Sequence, residues 1–474
     1  MNKMKYLLKN IGLFTLSSFS VKILSFLTVP LYTSILTTEQ FANIDLMILI
    51  SQLITPILSL SIYDAIIRFA MDKNYDCKYI FTVGCLIVIS SSAIMGVCIP
   101  VFRKVSFIEG NEFYLIGIYF SGVLSTSISY FLRAIDRVKI IVVNSILSTS
   151  ANIFLCIVFI KYSLMKEEGY YLALILANLI GTIYMVINGK LWNYVTFRRM
   201  DIKILIKMLK YSLPLMPNSI CWWINSSINR FILNANVSKN EVGLYSASNK
   251  IPNMLSIVTS TFQQAWTLSS INEYEQQKEN SNGANFYQSV FEIYNCLLLF
   301  CSCFLIITAS FIASILLKGE FVNGWIYIPV LIIGFYFNSL NAFIGSILTA
   351  IKKTNTIFWS TLLGALCNIG IGFFLIKVYG GQGAGVSIAI GYFIMWIFRL
   401  KLVKKYIDFS VNYMRVSIDY VLLIMLSIVT LRIEVYRYII EGVIIFLIFI
   451  NHKKEIIWSS GILKNMWLLR NSIK

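Results

Sequence analysis

The feature that most constrains this chain is a succession of long apolar runs, each of about twenty residues, separated by short clusters of charge. A helix of roughly 20 apolar residues crosses the ~30 Å hydrocarbon layer with its backbone N–H and C=O groups paired within the segment. The alternation therefore predicts an all-α integral membrane protein with about fourteen transmembrane helices. The runs, numbered here as spans 1 to 14, lie near residues 10–36, 43–67, 79–101, 113–132, 140–160, 170–190, 211–235, 243–267, 288–317, 325–350, 356–376, 383–400, 415–431 and 436–451. A chain with 58% hydrophobic and 13% charged residues is too apolar for an ordinary soluble domain.

A net charge of +18 would suggest nucleic acid in a soluble chain, but in a membrane chain the informative question is which side carries it. With the N-terminus inside, 28 Lys and Arg fall in cytoplasmic segments, 9 fall outside, and 3 (Lys22, Arg230 and Lys250) fall within spans. This bias predicts that both termini are cytoplasmic and excludes nucleic acid as a partner. The nine cysteines contain no CxxC pair and all but Cys77 lie in apolar runs, so neither disulfides nor zinc are expected. The only histidine, His452, follows the last span and leaves no imidazole for catalysis or proton relay in the membrane. No catalytic residue, metal or cofactor is expected. The first apolar run is too long for a cleavable signal and lacks a small-residue cleavage site, so it is read as a span.

Laid on itself, the chain repeats. At an offset of 201, Thr38-Glu39-Gln40-Phe41-Ala42-Asn43 meets Lys239-Asn240-Glu241-Val242-Gly243-Leu244. At an offset of 216, Leu132-Arg133-Ala134-Ile135-Asp136-Arg137 meets Leu348-Thr349-Ala350-Ile351-Lys352-Lys353, and Asn152, Gly169 and Ala173 meet Asn368, Gly385 and Ala389. The polar segment 269–287, longer than its counterpart 70–78, accommodates the difference. The organisation expected is an N-terminal six-helix half (1–190), a basic cytoplasmic linker (191–210), a C-terminal six-helix half (211–405), helices 13 and 14 (406–451) and a cytoplasmic tail (452–474). Six being even, the two six-helix repeats are parallel, an architecture in which transporters place substrate between the halves. In the linker, Lys203, Lys207 and Lys210 share one helical face, suited to the anionic inner leaflet and its membrane lipids.

Polar stripes mark the candidate site. Span 2 places Asp45, Gln52, Thr55, Ser59 and Tyr63 on one helical face, and span 8 repeats the stripe as Ser246, Asn253, Ser256, Ser260 and Gln264, with Asn249 beside it. Span 1 adds Thr15, Ser18, Lys22 and Ser25; span 7 adds Asn218, Asn225 and Asn229. Lipid does not accept such faces, so they face protein or a water-filled cavity. The substrate-binding residues expected of that cavity are Lys22, Arg230, Lys250, Asp45, Gln52, Asn225, Asn249 and Asn253. A charge in mid-helix costs roughly 2.5 to 3.5 kcal/mol, so Lys22 requires either a carboxylate, with Asp45 the candidate, or an anionic ligand. Asp64 and Arg68, one turn apart, are placed to neutralise each other. Pro214, Pro217 and Pro252 interrupt spans 7 and 8.

At these residues the chain resembles a known group. Ser18-x-x-x-Lys22, the L-T-T-E-Q-F turn, "NRFILNANVSKNEVGLYSASNKI" at 229–251 and "LTAIKKTNTIFWSTLLGALCNIGIGFFLI" at 348–376 are similar to bacterial polysaccharide-repeat flippases of the multidrug/oligosaccharidyl-lipid/polysaccharide exporter superfamily. The resemblance implies a flippase in the bacterial cytoplasmic (inner) membrane. Its expected cargo is a polyprenyl-pyrophosphate-linked oligosaccharide repeat unit of O-antigen, capsule or exopolysaccharide, moved by alternating access alongside a polysaccharide polymerase and a chain-length regulator. Where many relatives carry an acid before the arginine of that first long motif, this chain has Asn229, which removes the carboxylate an ion-coupled cycle would use there. Pyrophosphate is complementary to Lys22, Arg230 and Lys250, and sugar hydroxyls to the Asn, Gln, Ser and Thr stripes.

Two other classes compete. A cation-coupled multidrug extruder of the same superfamily would carry a net acidic cavity, and here basic groups exceed acidic ones. A membrane-embedded glycan polymerase or glycosyltransferase would need sizeable external loops, and the external connections here are short. Spans 13 and 14 lie outside the repeat and either pack on the C-terminal half or line a lateral groove for the polyprenyl tail, which is too apolar for a polar cavity. In a cysteine-free background, a single cysteine replacing Ser281 should be labelled from the cytoplasmic side only, and external labelling would overturn the parallel arrangement.

Overall fold

A computed structural model describes residues 19–26, 28–196, 202–277, 284–407, 409 and 411–455. Among them the chain is helical, with no strand, and nine helices are long and apolar enough to cross a membrane. The predicted spans that fall short of that measure do so for physical reasons. Span 7 forms Met216–Asn236, a helix of 21 residues diluted by five asparagines, and span 14 forms Arg437–Asn451, of only 15 residues. Span 8 is broken between Ser248 and Leu255, where Pro252 opens a 3-10 turn. Thr15 and Ser18 of span 1, most of the segment 278–283 and the tail beyond residue 455 lie outside the described residues.

The chain divides into two compact units, one of residues 1–247 and 315–322, the other of 248–314 and 323–474. The first contains α1 (Thr38–Leu58), α2 (Ile62–Ala70), α3 (Cys77–Val97), α4 (Glu112–Ala134), α5 (Val138–Cys156), α6 (Lys166–Gly189), α7 (Ile202–Ser212) and α8 (Met216–Asn236), and nearly all of α9 (Lys239–Ser248). The L-T-T-E-Q-F turn starts α1 with a capping box. Thr37 Oγ1 accepts from the Gln40 N–H at 3.3 Å and Gln40 Oε1 accepts from the Thr37 N–H at 3.0 Å, so two otherwise unpaired donors are satisfied. Span 2 does not run straight through. Pro56 lacks the N–H a continuing helix needs, and Leu60 and Ser61 take left-handed φ values of 53° and 51° before α2 begins. Each such residue costs about 1–2 kcal/mol, and the fully buried Ser59, Ser61 and Ile62 hold the break in place. With α1 and α2 so separated, α4 and α6 pack against them, α3 and α4 pack together, and α5 lies on α6. There Gly181 admits Asn144, whose Oδ1 would stand 2.4 Å from an added Cβ.

The second unit is built on α13 (Ile328–Ala350), which follows the short α12 (Ala309–Leu316) in the chain and is buried along most of its length because α10 (Leu255–Gln277), α11 (Ala284–Ile307), α14 (Thr354–Val403) and α15 (Tyr413–Arg432) all pack against it. Stacked rings tie these helices together, Phe262 on Tyr294 at 4.1 Å and Trp266 on Phe343 at 4.5 Å between centroids. α16 (Arg437–Asn451) packs on α15 as a hairpin whose turn is charged: Arg437 Nε meets Glu441 Oε1 at 2.9 Å and Thr430 donates to the same oxygen at 2.8 Å.

Spans 11 and 12 form α14, interrupted at Gly380 (φ 55°, ψ −132°), a conformation open to glycine alone. Beyond the break the chain returns so closely that a Cβ on Gly383 would stand 2.2 Å from the Leu375 carbonyl oxygen. Gly383→Val should therefore lower the unfolding midpoint of the purified chain markedly, by the ~1–3 kcal/mol typical of overpacking. Gly370→Ala on the same helix, where an added Cβ meets nothing within 4 Å, should leave it unchanged.

Candidate functional site

Three polar or apolar features stand out, each within one unit. The first is a recess of about 350 Å³ inside the first unit, walled by α1, α2, α4, α6 and α8. α1 contributes Ser51, Gln52 and Thr55, α2 contributes Tyr63, α4 contributes Gly122 and Thr126, α6 contributes Asn178 and α8 contributes Ser219. The hydroxyl protons of Thr55 and Thr126 are spent on backbone carbonyls one turn back, Ser51 O at 2.8 Å and Gly122 O at 2.9 Å. Their oxygen lone pairs remain to accept, while the Gln52 and Asn178 amides can both donate and accept. Among the described residues, no Asp, Glu, Lys or Arg lines the recess. The break at Leu60–Ser61 puts Tyr63 on its own short helix, where its ring lies edge-on to Tyr130 at 5.3 Å.

The second feature is an ionic cluster where α1 begins. Arg230 Nε lies 3.1 Å from Asp45 Oδ2, with both side chains nearly buried at 12% and 11% exposure, and Ser246 donates to the same oxygen at 2.7 Å. Thr38 donates to Asn240 Oδ1, Asn43 donates to both Glu167 oxygens at 3.3 Å, and Arg230 lies 5.9 Å from the centre of the Tyr245 ring. Gly243 rests on the backbone of Thr38, whose carbonyl oxygen would be 2.0 Å from an added Cβ. Residues aligned in the repeat thus meet in space: Asp45 with Ser246 at the 201 offset, and Thr38 with the neighbour of its counterpart. Trp223 ties α8 to α1 by donating to Leu49 O at 2.9 Å.

The third is an apolar groove of about 560 Å³ in the second unit, between α13, α14 and α15. Phe337, Phe393, Val421, Ile424 and Ile428 line it, and the last three are exposed.

The expected site residues separate accordingly. Gln52 lines the recess; Asp45 pairs with Arg230, 185 positions along the chain. Asn225 is buried at 1% and donates to Cys221 O at 3.1 Å. Lys22 is half-buried. In the second unit, Asn249, Lys250 and Asn253 sit at the break between α9 and α10, buried, half-buried and exposed in turn. Asp64 and Arg68 form no ion pair, because Asp64 is half-buried whereas Arg68 points outward, exposed. Sequence reasoning missed Ser51, Thr126, Asn178 and Ser219; the signal for Asn178 was a lone amide in an apolar span. It also missed Arg399, 1% exposed, which donates to Ser360 Oγ at 2.9 Å, Asn341 O at 2.8 Å and Thr361 Oγ1 at 2.9 Å.

The family described as polysaccharide biosynthesis protein matches residues 7–267. No curated protein matches the chain. Among solved structures, the lipid II flippase MurJ in an inward closed conformation is 15% identical, with 96% of this chain and 99% of that one covered and a TM-score of 0.67. An inward-facing multidrug resistance MATE family transporter of the MOP superfamily is 17% identical, over 81% of this chain and 96% of that one, at 0.66. A MOP superfamily transporter from Pyrococcus furiosus, described as having reverse polarity of its binding pocket, is 16% identical over 84% and 96%, at 0.59. The fold is therefore that of MOP superfamily transporters, and the chain is a multi-pass membrane protein.

Removing one member of a buried ion pair strands the other. Asp45→Asn and Arg230→Gln should each destabilise the chain by about 3–5 kcal/mol and the double substitution by clearly less than their sum. Thermal unfolding of the four proteins checks the cycle, and additive losses would show that the pair is not coupled.

Proposed function

The chain belongs to the polysaccharide biosynthesis protein family, and from that premise we propose that it is a flippase carrying a polyprenyl-pyrophosphate-linked oligosaccharide across the bacterial cytoplasmic membrane. The observation that carries this reading is the recess: about 350 Å³, with hydroxyls and amides in its lining and, among the described residues, no formal charge. An uncharged surface rich in acceptor lone pairs complements the donating hydroxyls of a sugar, and its volume falls in the range of small-ligand sites. A cationic drug would call for a carboxylate there, and none of the described lining residues carries one, which argues against the extruder reading.

The two other parts of the cargo have matching chemistry. Lys22, Arg230 and Lys250 remain the cations assigned to the pyrophosphate by the sign of their charge, Arg230 being ion-paired with Asp45. The apolar groove on α13, α14 and α15 suits the polyprenyl tail, which loses about 0.8 kcal/mol of favourable burial for each CH₂ left in water. In this reading Asp45, Arg230 and Ser246 hold the beginning of α1 against α8 and α9, and alternating access requires that this cluster open once per cycle. Asn225, Asn249 and Asn253 remain cavity candidates in the proposal, and both termini remain assigned to the cytoplasm.

Gly122 gives the cleanest test, because an added Cβ there meets nothing within 4 Å and would project into open space. Gly122→Leu should fill the recess at no cost to stability and reduce flipping of a lipid-linked oligosaccharide in proteoliposomes by about tenfold or more, a loss of ~1.4 kcal/mol. Gly122→Ala should retain most activity. Full activity in the Leu variant would remove the recess from the pathway. Ile424→Asn with Val421→Asn should impair the lipid-linked cargo by making the groove polar, with insertion unchanged.

A further inference from the structure

The last helical hairpin carries a polar cluster that the transport reading does not use. Asp419 of α15 is fully buried, and His452, just past α16, is 1% exposed. His452 Nε2 lies 3.0 Å from Asp419 Oδ2. Asn295 of α11 donates to the same oxygen at 3.1 Å and Asn451 donates to Oδ1 at 2.7 Å, while the Tyr336 hydroxyl of α13 donates to Asn295 Oδ1. Beside them Arg415 of α15 grips Glu455 with two nitrogens, at 2.7 and 2.5 Å.

The second ring nitrogen of His452 decides what this cluster can do. Nδ1 faces Arg415 Nη2 at 3.5 Å and Glu455 Oε2 at 3.8 Å. With the ring neutral and its proton on Nε2, Nδ1 can accept from Arg415. With the ring protonated, Nδ1–H can donate to Glu455. Both protonation states therefore have a ready partner, and a small shift of the ring exchanges them. Arg415 and Glu455 cancel each other, so the neutral ring leaves one buried negative charge on Asp419, and the protonated ring leaves none. Burying an uncompensated charge is expensive.

We propose that Asp419 and His452 form a proton-binding site, and that proton uptake clamps the segment after α16 onto α15, the helix that walls the apolar groove. Asp419 and Tyr420 are adjacent on α15, and Tyr420 lines the groove, so tightening at the buried face of this helix is felt at the other. Other groups around the site act in both directions. Glu292 of α11, which lines the same recess as Arg415 and His452, favours the protonated ring, and Lys454 on the histidine's own segment opposes it. Cys296 and Cys303 of α11, Tyr336 of α13 and Tyr420 of α15 also face the carboxylate. The sign follows from the charge balance: the clamp is strongest at low pH and loosens as rising pH strips the ring. The proposal relies on the groove reading only for what the clamp acts upon.

His452 is the only histidine in the chain, so its ring signals in an NMR titration are unambiguous if the purification tag contains no histidine. The full chain in nanodiscs, labelled at the imidazole and carrying a fluorinated probe on a cysteine replacing Ile424 in the groove wall, is titrated between about pH 5 and about pH 9, either side of an ordinary imidazole. The expected result is a ring titration with a matching shift of the groove probe, together with an unfolding midpoint about 2 °C or more lower at the alkaline end. Asp419→Asn should flatten the midpoint profile, since a neutral ring then leaves no buried charge. A ring that does not titrate, a groove probe blind to it, or a wild-type profile kept in Asp419→Asn would each overturn the proposal. None of these readouts needs a transported substrate, so a failure of the flippase reading appears separately, as absent flipping with the titration intact.

Discussion

A polar side chain carried into an apolar span must meet another polar group or water, and most of this structure follows from how that obligation is met. The obligation is strict because an unpaired polar group in a low-dielectric interior costs several kcal/mol, and an unpaired charge far more. Asp45 meets it through Arg230 and Ser246, Arg399 through two hydroxyls and a carbonyl, and Asp419 through His452 and two asparagines. Each of these clusters joins helices that are distant in the chain, so each also sets which helices lie together. The recess differs, since the Thr55 and Thr126 hydroxyls satisfy their protons on their own helix backbones and leave lone pairs for something else. That difference, self-satisfied clusters against a wall of spare acceptors, separates structural polarity from a binding surface.

The same obligation accounts for the irregular segments. The helix break at Leu60–Ser61 and the interruption around Pro252 fall in the two spans that carry the matching polar stripes. A straight helix would keep Gln52 and Tyr63 on one rigid face; the break lets α2 turn and bring Tyr63 across the recess. Gly380 serves another purpose, allowing two apolar spans to fold back with their backbones almost in contact. These breaks are stable because buried neighbours hold them, and they are also where helices can hinge at low cost.

Charge was the least legible property. Lys22, Arg230 and Lys250 lie within spans, and the simplest reading makes all of them available to an anion. The pairing of Arg230 with Asp45 takes that cation into an ion pair with a partner far along the chain. Conversely, His452 lies beyond the last span in the sequence, yet it folds back to bury itself against Asp419. In both cases the local pattern was read correctly and the partner lay elsewhere, 185 and 33 positions away.

The sequence by itself determined the all-α membrane architecture, the polar stripe of α1 containing Asp45, Gln52 and Thr55, and the interruptions at Pro214 and Pro252, whereas Pro217 sits in the first turn of α8. Hydropathy, helical periodicity and proline chemistry act within about one helix length, so they are written locally. Only the tertiary structure decided that Asn178 and Thr126 join Gln52 in one recess, that Asp45 belongs to Arg230, and that Asp419 holds His452. Those outcomes depend on which helix faces approach within a hydrogen-bond length, and that is set by packing summed over the whole unit.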